Sequence, residues 1–190
     1  KIITKYKIIF FGLMISFALI LINLNTDFKV RYKSQIYDSL KTKGIYNYFK
    51  GTTYGAHFST SYKIFKENPI SGIGLKNFYF ECGKDKYIDE EFVFNFGRCS
   101  THPHQLHLEI LSQIGIFGYL VFLYLFFYLI YFGFKNYFKN KDPYLLASLV
   151  FIFVSIFTPV PSGSFFTTFG ATIFWLNFGL VLAFSAKQSK

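Results

Sequence analysis

The stretch IGIFGYLVFLYLFFYLIYFGF, residues Ile114–Phe134, runs for 21 positions without a charge. At 1.5 Å per residue it covers about 30 Å, the thickness of bilayer hydrocarbon. It has no polar stripe, so it does not read as an amphipathic helix over a soluble core. Three further runs share this character: Ile8–Leu24, broken only by Gly12, Ser16 and Asn23, then Tyr144–Val160 and Ser164–Phe184, separated by Pro161-Ser162-Gly163. The shorter runs could alternatively be buried core helices. The whole chain is 52% hydrophobic and holds 28 Phe among 190 residues, more apolar surface than a soluble domain of this size needs. The fold class expected is mainly α: a polytopic membrane protein with about four transmembrane helices and one large, partly helical loop outside the cytoplasm.

The net charge of +10 would suggest nucleic acid in a soluble protein, but its distribution points elsewhere. Lys1, Lys5 and Lys7 precede the first run; Lys135, Lys139 and Lys141 follow the second; Lys187 and Lys190 follow the fourth. Only Asp142 offsets them there. The positive-inside rule puts these flanks in the cytoplasm and residues 25–113 on the opposite face, the periplasmic side of a bacterial inner membrane. The partner implied is a lipid bilayer, not nucleic acid. Three regions follow: 1–24, the first span with its cytoplasmic flank; 25–113, the periplasmic loop; and 114–190, three closing spans with a cytoplasmic C-terminus. The chain begins at Lys1 rather than Met, which reads as the C-terminal part of a longer polytopic protein.

A loop of about 90 residues is long enough for a folded lid. Within it Ser59–Glu67 reads as a short helix stopped by Asn68-Pro69. Pro69-Ile70-Ser71-Gly72-Ile73-Gly74 reads as a tight turn whose glycines permit positive φ or close backbone approach. Leu106–Gln113 reads as a helix that runs on into the second span. Cys82 and Cys99, the only cysteines, suit one disulfide on an oxidising face, worth about 3 kcal/mol in the chain-entropy model; two free buried thiols are the alternative. Asp89-Glu90-Glu91 could supply paired carboxylates for glycoside hydrolysis, although adjacent acids point to different faces and suit a solvated loop.

His102-Pro103-His104-Gln105-Leu106-His107-Leu108-Glu109 sets three imidazoles and a carboxylate at the last polar positions before the second span. Ionisable groups at such a boundary are costly and commonly functional. Three readings stay open: metal ligation, although Pro103 spoils the spacing for one helix; interfacial packing; and general acid–base chemistry near neutral pH.

His104-Gln105, nine residues, then Gly115-Ile116-Phe117-Gly118 resembles the signature of the O-antigen ligase/O-antigen polymerase superfamily. Asn68-Pro69-Ile70-Ser71-Gly72-Ile73-Gly74-Leu75-Lys76-Asn77-Phe78 is similar to the turn that opens its conserved region, and Cys99-Ser100-Thr101-His102-Pro103-His104 resembles members that carry a cysteine pair. The resemblance spans about Phe65–Gly118. It implies a metal-independent membrane glycosyltransferase without cofactor, which moves a glycan from a polyprenyl diphosphate carrier to lipid A core, a glycan or another acceptor. His104 would be the general base and Arg98 would stabilise the departing diphosphate, with Arg31 a second candidate; these are the only two arginines. His102, His107, Gln105, Gly72 and Gly74 would contact substrate. The family's upstream arginine has no match; His57 stands near its place, and Lys63 is nearby. Gln113 occupies a position where Glu is common. A non-enzymatic transport or scaffold component of surface polysaccharide export is the rival from another class.

Overall fold

A computed structural model describes residues 2–157 and 161–186, and among them there is no strand. The chain divides into two units, Lys1–Phe49 and Lys50–Lys190.

In the first unit, α1 (Ile2–Leu24) is apolar on every side. Phe10, Phe11, Leu13 and Phe17 are all exposed, as expected of side chains meant for lipid. Asn25 ends it by accepting bonds from the Asp27 and Phe28 amides, 2.9 and 3.3 Å, which caps the next helical turn. The chain bends by 92° between Ile9–Leu21 and Thr26–Lys50. It continues through a wide-wound segment, Lys29–Asp38, into α2 (Ser39–Lys50), which is interrupted at Gly44 (φ +73°).

The second unit holds α3 (Thr53–Glu67), α4 (Leu106–Asn140), α5 (Pro143–Phe157) and α6 (Thr168–Ala186). α3 starts six residues before the helix read at Ser59. Thr52 Oγ1 caps it by accepting from Gly55 N at 3.1 Å, and Gly55, Ala56, Thr60 and Ser61 are small enough to lie buried against α4. Its end agrees with the sequence reading: Asn68 N turns back to the carbonyls of Ile64 and Phe65. α4, α5 and α6 share a core that includes Phe126, Leu129, Leu145, Leu149, Ile152 and Val181. They come close at Gly133, where a Cβ would sit 2.4 Å from Leu149 and 3.1 Å from Val181, the small-residue contact by which helices associate in lipid. A second cluster gathers Ile64, Phe78, Cys82 and Tyr87 beneath the disulfide that joins Cys82 and Cys99 (Cα–Cα 5.3 Å).

Two described helices, Leu106–Asn140 and Phe169–Ala186, are long and apolar enough to cross a membrane, or three if the bent pair in the first unit is one broken span. The run read as Tyr144–Val160 is described only as far as Phe157. Its fifteen helical residues rise about 22 Å, and 158–160 lie outside the described residues. The run read from Ser164 turns helical only at Thr168, because Ser164 and the Phe165 amide are held by Glu109.

Candidate active site at the helix junction

α4 does not run unbroken. Gly115 adopts φ +69°, ψ −172°, outside helical space, and a break strands backbone groups that must find partners if buried. The Pro69–Gly74 turn supplies them. Ile73 N donates to Ser112 O at 3.0 Å, Gly74 N to Gln113 O at 2.9 Å, and Ile116 N to Pro69 O at 2.8 Å. The approach is so close that a Cβ on Gly72 would lie 2.4 Å from Gln113 C, and one on Gly115 would lie 2.2 Å from Ile70 O. The two glycine segments, 40 residues apart in sequence, form one backbone joint. Gly72 and Gly74, read as substrate contacts, are placed here as its packing surface.

Polar side chains lock the joint. Gln113 is buried; its Oε1 accepts a short bond from Lys76 N, and its amide bonds Glu109. A glutamate at 113 would set a second carboxylate beside Glu109, whereas the amide can accept from one side and donate to the other. Glu109, 1% exposed, accepts from Ser164 Oγ at 2.5 Å and from Phe165 N at 2.9 Å. It therefore ties α4 to the segment before α6 and makes no bond to His107. Ser61 Oγ bonds Leu108 O and Ser112 Oγ, at 2.9 and 3.1 Å, fixing α3 against the same helix.

The histidines separate into two groups. His107 Nε2 donates to Ile156 O at 2.8 Å and its Nδ1 accepts from Tyr119 O–H at 3.0 Å. Both nitrogens are occupied in joining α4 to the last turn of α5, a packing role. His104 instead meets His102 and His57, with ring centroids 4.0 and 5.1 Å away, and the edge of Tyr54 at 5.7 Å. Its Nε2 lies 3.2 Å from Ser100 Oγ, its backbone is left-handed (φ +56°), and its carbonyl accepts from Ser162 N at 2.7 Å. A non-glycine residue held at positive φ is strained, and here the strain turns the chain just before Gln105. Gln105 Oε1 caps α4 by accepting from Leu108 N at 2.8 Å, which accounts for this residue without substrate. His57 Nδ1 donates to the Arg98 carbonyl at 2.9 Å, leaving its Nε2 as the free acceptor. Burial first, and mutual repulsion second, hold His104 below the ordinary imidazole pKa; burial is also the main cause for His57 and His102. All three rings are therefore neutral at pH 7. Among the described residues, no group of three His, Cys, Asp or Glu is placed to hold a metal ion.

Arg98 presents its backbone to this cluster. Its guanidinium donates to Gly83 O (3.0 Å) and Asn95 O (3.3 Å), bracing the disulfide loop. Arg31 lies exposed in the first unit, within Lys29–Asp38. Lys63 and Ser59 both bond Asp89, at 3.1 and 2.5 Å, and Lys50 pairs with Glu91 at 2.7 Å, so the acidic run fastens its loop to α3 and the residues before it.

A cavity of about 330 Å³ opens beside the joint, lined by Lys76, Tyr79, Thr101, His102, Glu109, Gln113, Ser164, Phe166 and Thr167. His102 faces it and His104 does not form its wall. Tyr54, Ser100, Ser162 and Ser164 were not singled out in the sequence. The clue for the last two was a polar Pro-Ser-Gly-Ser interval between apolar runs, which read as a plain turn.

A family model described as O-antigen ligase matches residues 1–123, which takes in the whole joint and every histidine. No curated protein and no solved structure matches the chain.

Proposed function

We propose, from the premise that this chain belongs to the O-antigen ligase family, that it transfers a glycan from a polyprenyl diphosphate carrier to a hydroxyl acceptor at the periplasmic face of the bacterial inner membrane. The observation that carries this reading is a neutral, half-buried imidazole on a strained backbone, at the point where α4 passes from polar to apolar sequence. His104 takes the proton of the acceptor hydroxyl. The acceptor oxygen then forms its bond to the anomeric carbon as the bond from that carbon to the phosphate oxygen breaks, and the diphosphate leaves with the electron pair. A neutral ring is the form that can accept a proton. Arg98 acts here as a positioning residue, its carbonyl fixing the ring of His57 beside His104. Two of the five Arg98 guanidinium donors are held by the carbonyls of Gly83 and Asn95, and its buried Nε has no partner among the described residues. The charged flanks support a reading with four crossings, two or three of which are described helices of spanning length, and with the loop and its disulfide on the oxidising side.

Deleting the gene and analysing surface glycan tests the reading. Unligated carrier-linked chains identify a ligase, single repeat units a polymerase, and unaltered glycan rejects both. The transfer is proposed to need no metal, so full activity in chelator is the expected result.

A further inference from the structure

The leaving diphosphate needs positive charge or donors. Arg98 has two of its five donors held by carbonyls and is not on the wall of the cavity beside the joint, which offers a cation of its own. Lys76 is the one permanent cation on its wall and has no ion-pair partner among the described residues. Its backbone is held left-handed (φ +61°) by the bond to Gln113, so this side chain leaves from a fixed base. His102 Nδ1 lies 3.0 Å from Thr101 Oγ1, and its Nε2 is buried without a partner. With Thr101 donating to Nδ1, Nε2 carries a hydrogen whose neighbouring acceptor is the Ser162 backbone, at less than ideal geometry. Tyr79 adds a hydroxyl to the wall, whereas Thr167 spends its hydrogen on Ser164 O at 3.0 Å. Glu109 also reaches it, but its oxygens already accept from Ser164 and Phe165.

Ser164 belongs to two cavities. On its other side lies a groove of about 310 Å³ lined by Leu106, Phe151, Val154, Ile156, Phe165 and Phe174, among others. A donor-rich chamber and an apolar groove that share a wall suit an amphiphile with a compact anionic head and a hydrocarbon tail.

We infer that the Lys76–His102 cavity receives the diphosphate of an isoprenoid carrier and that the groove behind Ser164 receives the first isoprene units of its tail. This rests on the glycan-transfer reading and assigns its leaving-group site to an ammonium and an imidazole in place of a guanidinium. The ring of His102 is 4.0 Å from that of His104, so head group and base are neighbours. Removing a charged donor from an anion site weakens binding by about tenfold.

The purified chain in detergent, titrated with farnesyl diphosphate, provides the test. Its one tryptophan, Trp175, lies 6.0 Å from Phe165 in the groove wall and serves as the fluorescent reporter. Lys76→Gln should weaken farnesyl diphosphate by about tenfold and Lys76→Arg should largely preserve binding, while farnesol should bind weakly and equally to all three proteins. Equal affinity of wild type and Lys76→Gln for farnesyl diphosphate would overturn the inference, as would phosphatidylglycerol competing as well as the diphosphate. Surface glycan in cells separates the two failures. If Lys76→Gln binds normally and glycan still requires the gene, only the head-group assignment falls. If the diphosphate binds as described but deletion leaves surface glycan unaltered, the transfer reading falls.

Discussion

The two ends of α4 solve opposite problems with one helix. From Phe126 to Gly133 it is held by apolar side chains and one close glycine contact, and Tyr124, Phe127, Tyr128 and Tyr131 are left bare for lipid. From Leu106 to Gly115 it is held by backbone hydrogen bonds to the Pro69–Gly74 turn and by buried polar groups: Glu109, Ser112 and Gln113. Apolar packing tolerates small changes of shape, whereas a joint of fixed donors and acceptors does not. A site that must aim a proton acceptor within a few tenths of an ångström belongs at the second kind of end.

Substitutions can break this contrast. Gly115→Ala should have the largest effect. The new Cβ meets Ile70 O at 2.2 Å on a backbone with positive φ, and such strain costs about 1–3 kcal/mol before any clash is counted. Loss of folded protein in detergent extracts is the expected result, and Gly72→Ala should behave alike. Glu109→Ala comes next. It leaves the Ser164 hydroxyl hydrogen and the Phe165 amide without their acceptor, and an unsatisfied buried donor costs about 1–3 kcal/mol. A clear drop in thermal midpoint should accompany weaker transfer. Gly179→Ala, on the lipid-embedded side with nothing within 4 Å, should shift stability by no more than about 0.5 kcal/mol. If Gly179→Ala proved as damaging as Gly115→Ala, close backbone approach would not be what makes Gly115 irreplaceable.

Protonation sharpens the same comparison. His57, His102 and His104 have folded pKa values below the ordinary 6.5 because burial disfavours the imidazolium. The unfolded chain thus binds more protons than the folded one as pH falls below about 6.5. Their contribution to stability is level above that pH, then declines until the folded pKa values are passed. Transfer measured against pH should be flat above the ordinary imidazole pKa and fall only on acidification beyond it, as the base is protonated. A rate that rises on acidification would contradict a neutral base.

Much of this was legible in the chain. The 21 uncharged positions at 114–134 announced a spanning helix, and Asn68-Pro69 announced where α3 stops. Gly72 and Gly74 announced positive φ. What the sequence withheld was pairing at a distance. Backbone hydrogen bonds carry no side-chain signature, so the joint between residues 69–74 and 112–116 could not be read from residue types. Gly72 and Gly74 read as substrate contacts for the same reason, since they pack on a segment distant in sequence, whereas Gln105 caps its own helix. His107 and His104 look alike three positions apart, yet only the fold sends one to Ile156 and the other to His57. Thr52 hid the start of α3, because a threonine followed by Thr-Tyr-Gly-Ala lacks an apolar repeat.

One measurement bears most directly on the proposed base. Cells deleted for the gene and complemented with His104→Ala should insert the protein normally and yet transfer no glycan, while His107→Ala should lose stability and transfer together. Wild-type amounts of surface glycan with His104→Ala would show that the ring at the junction abstracts no proton.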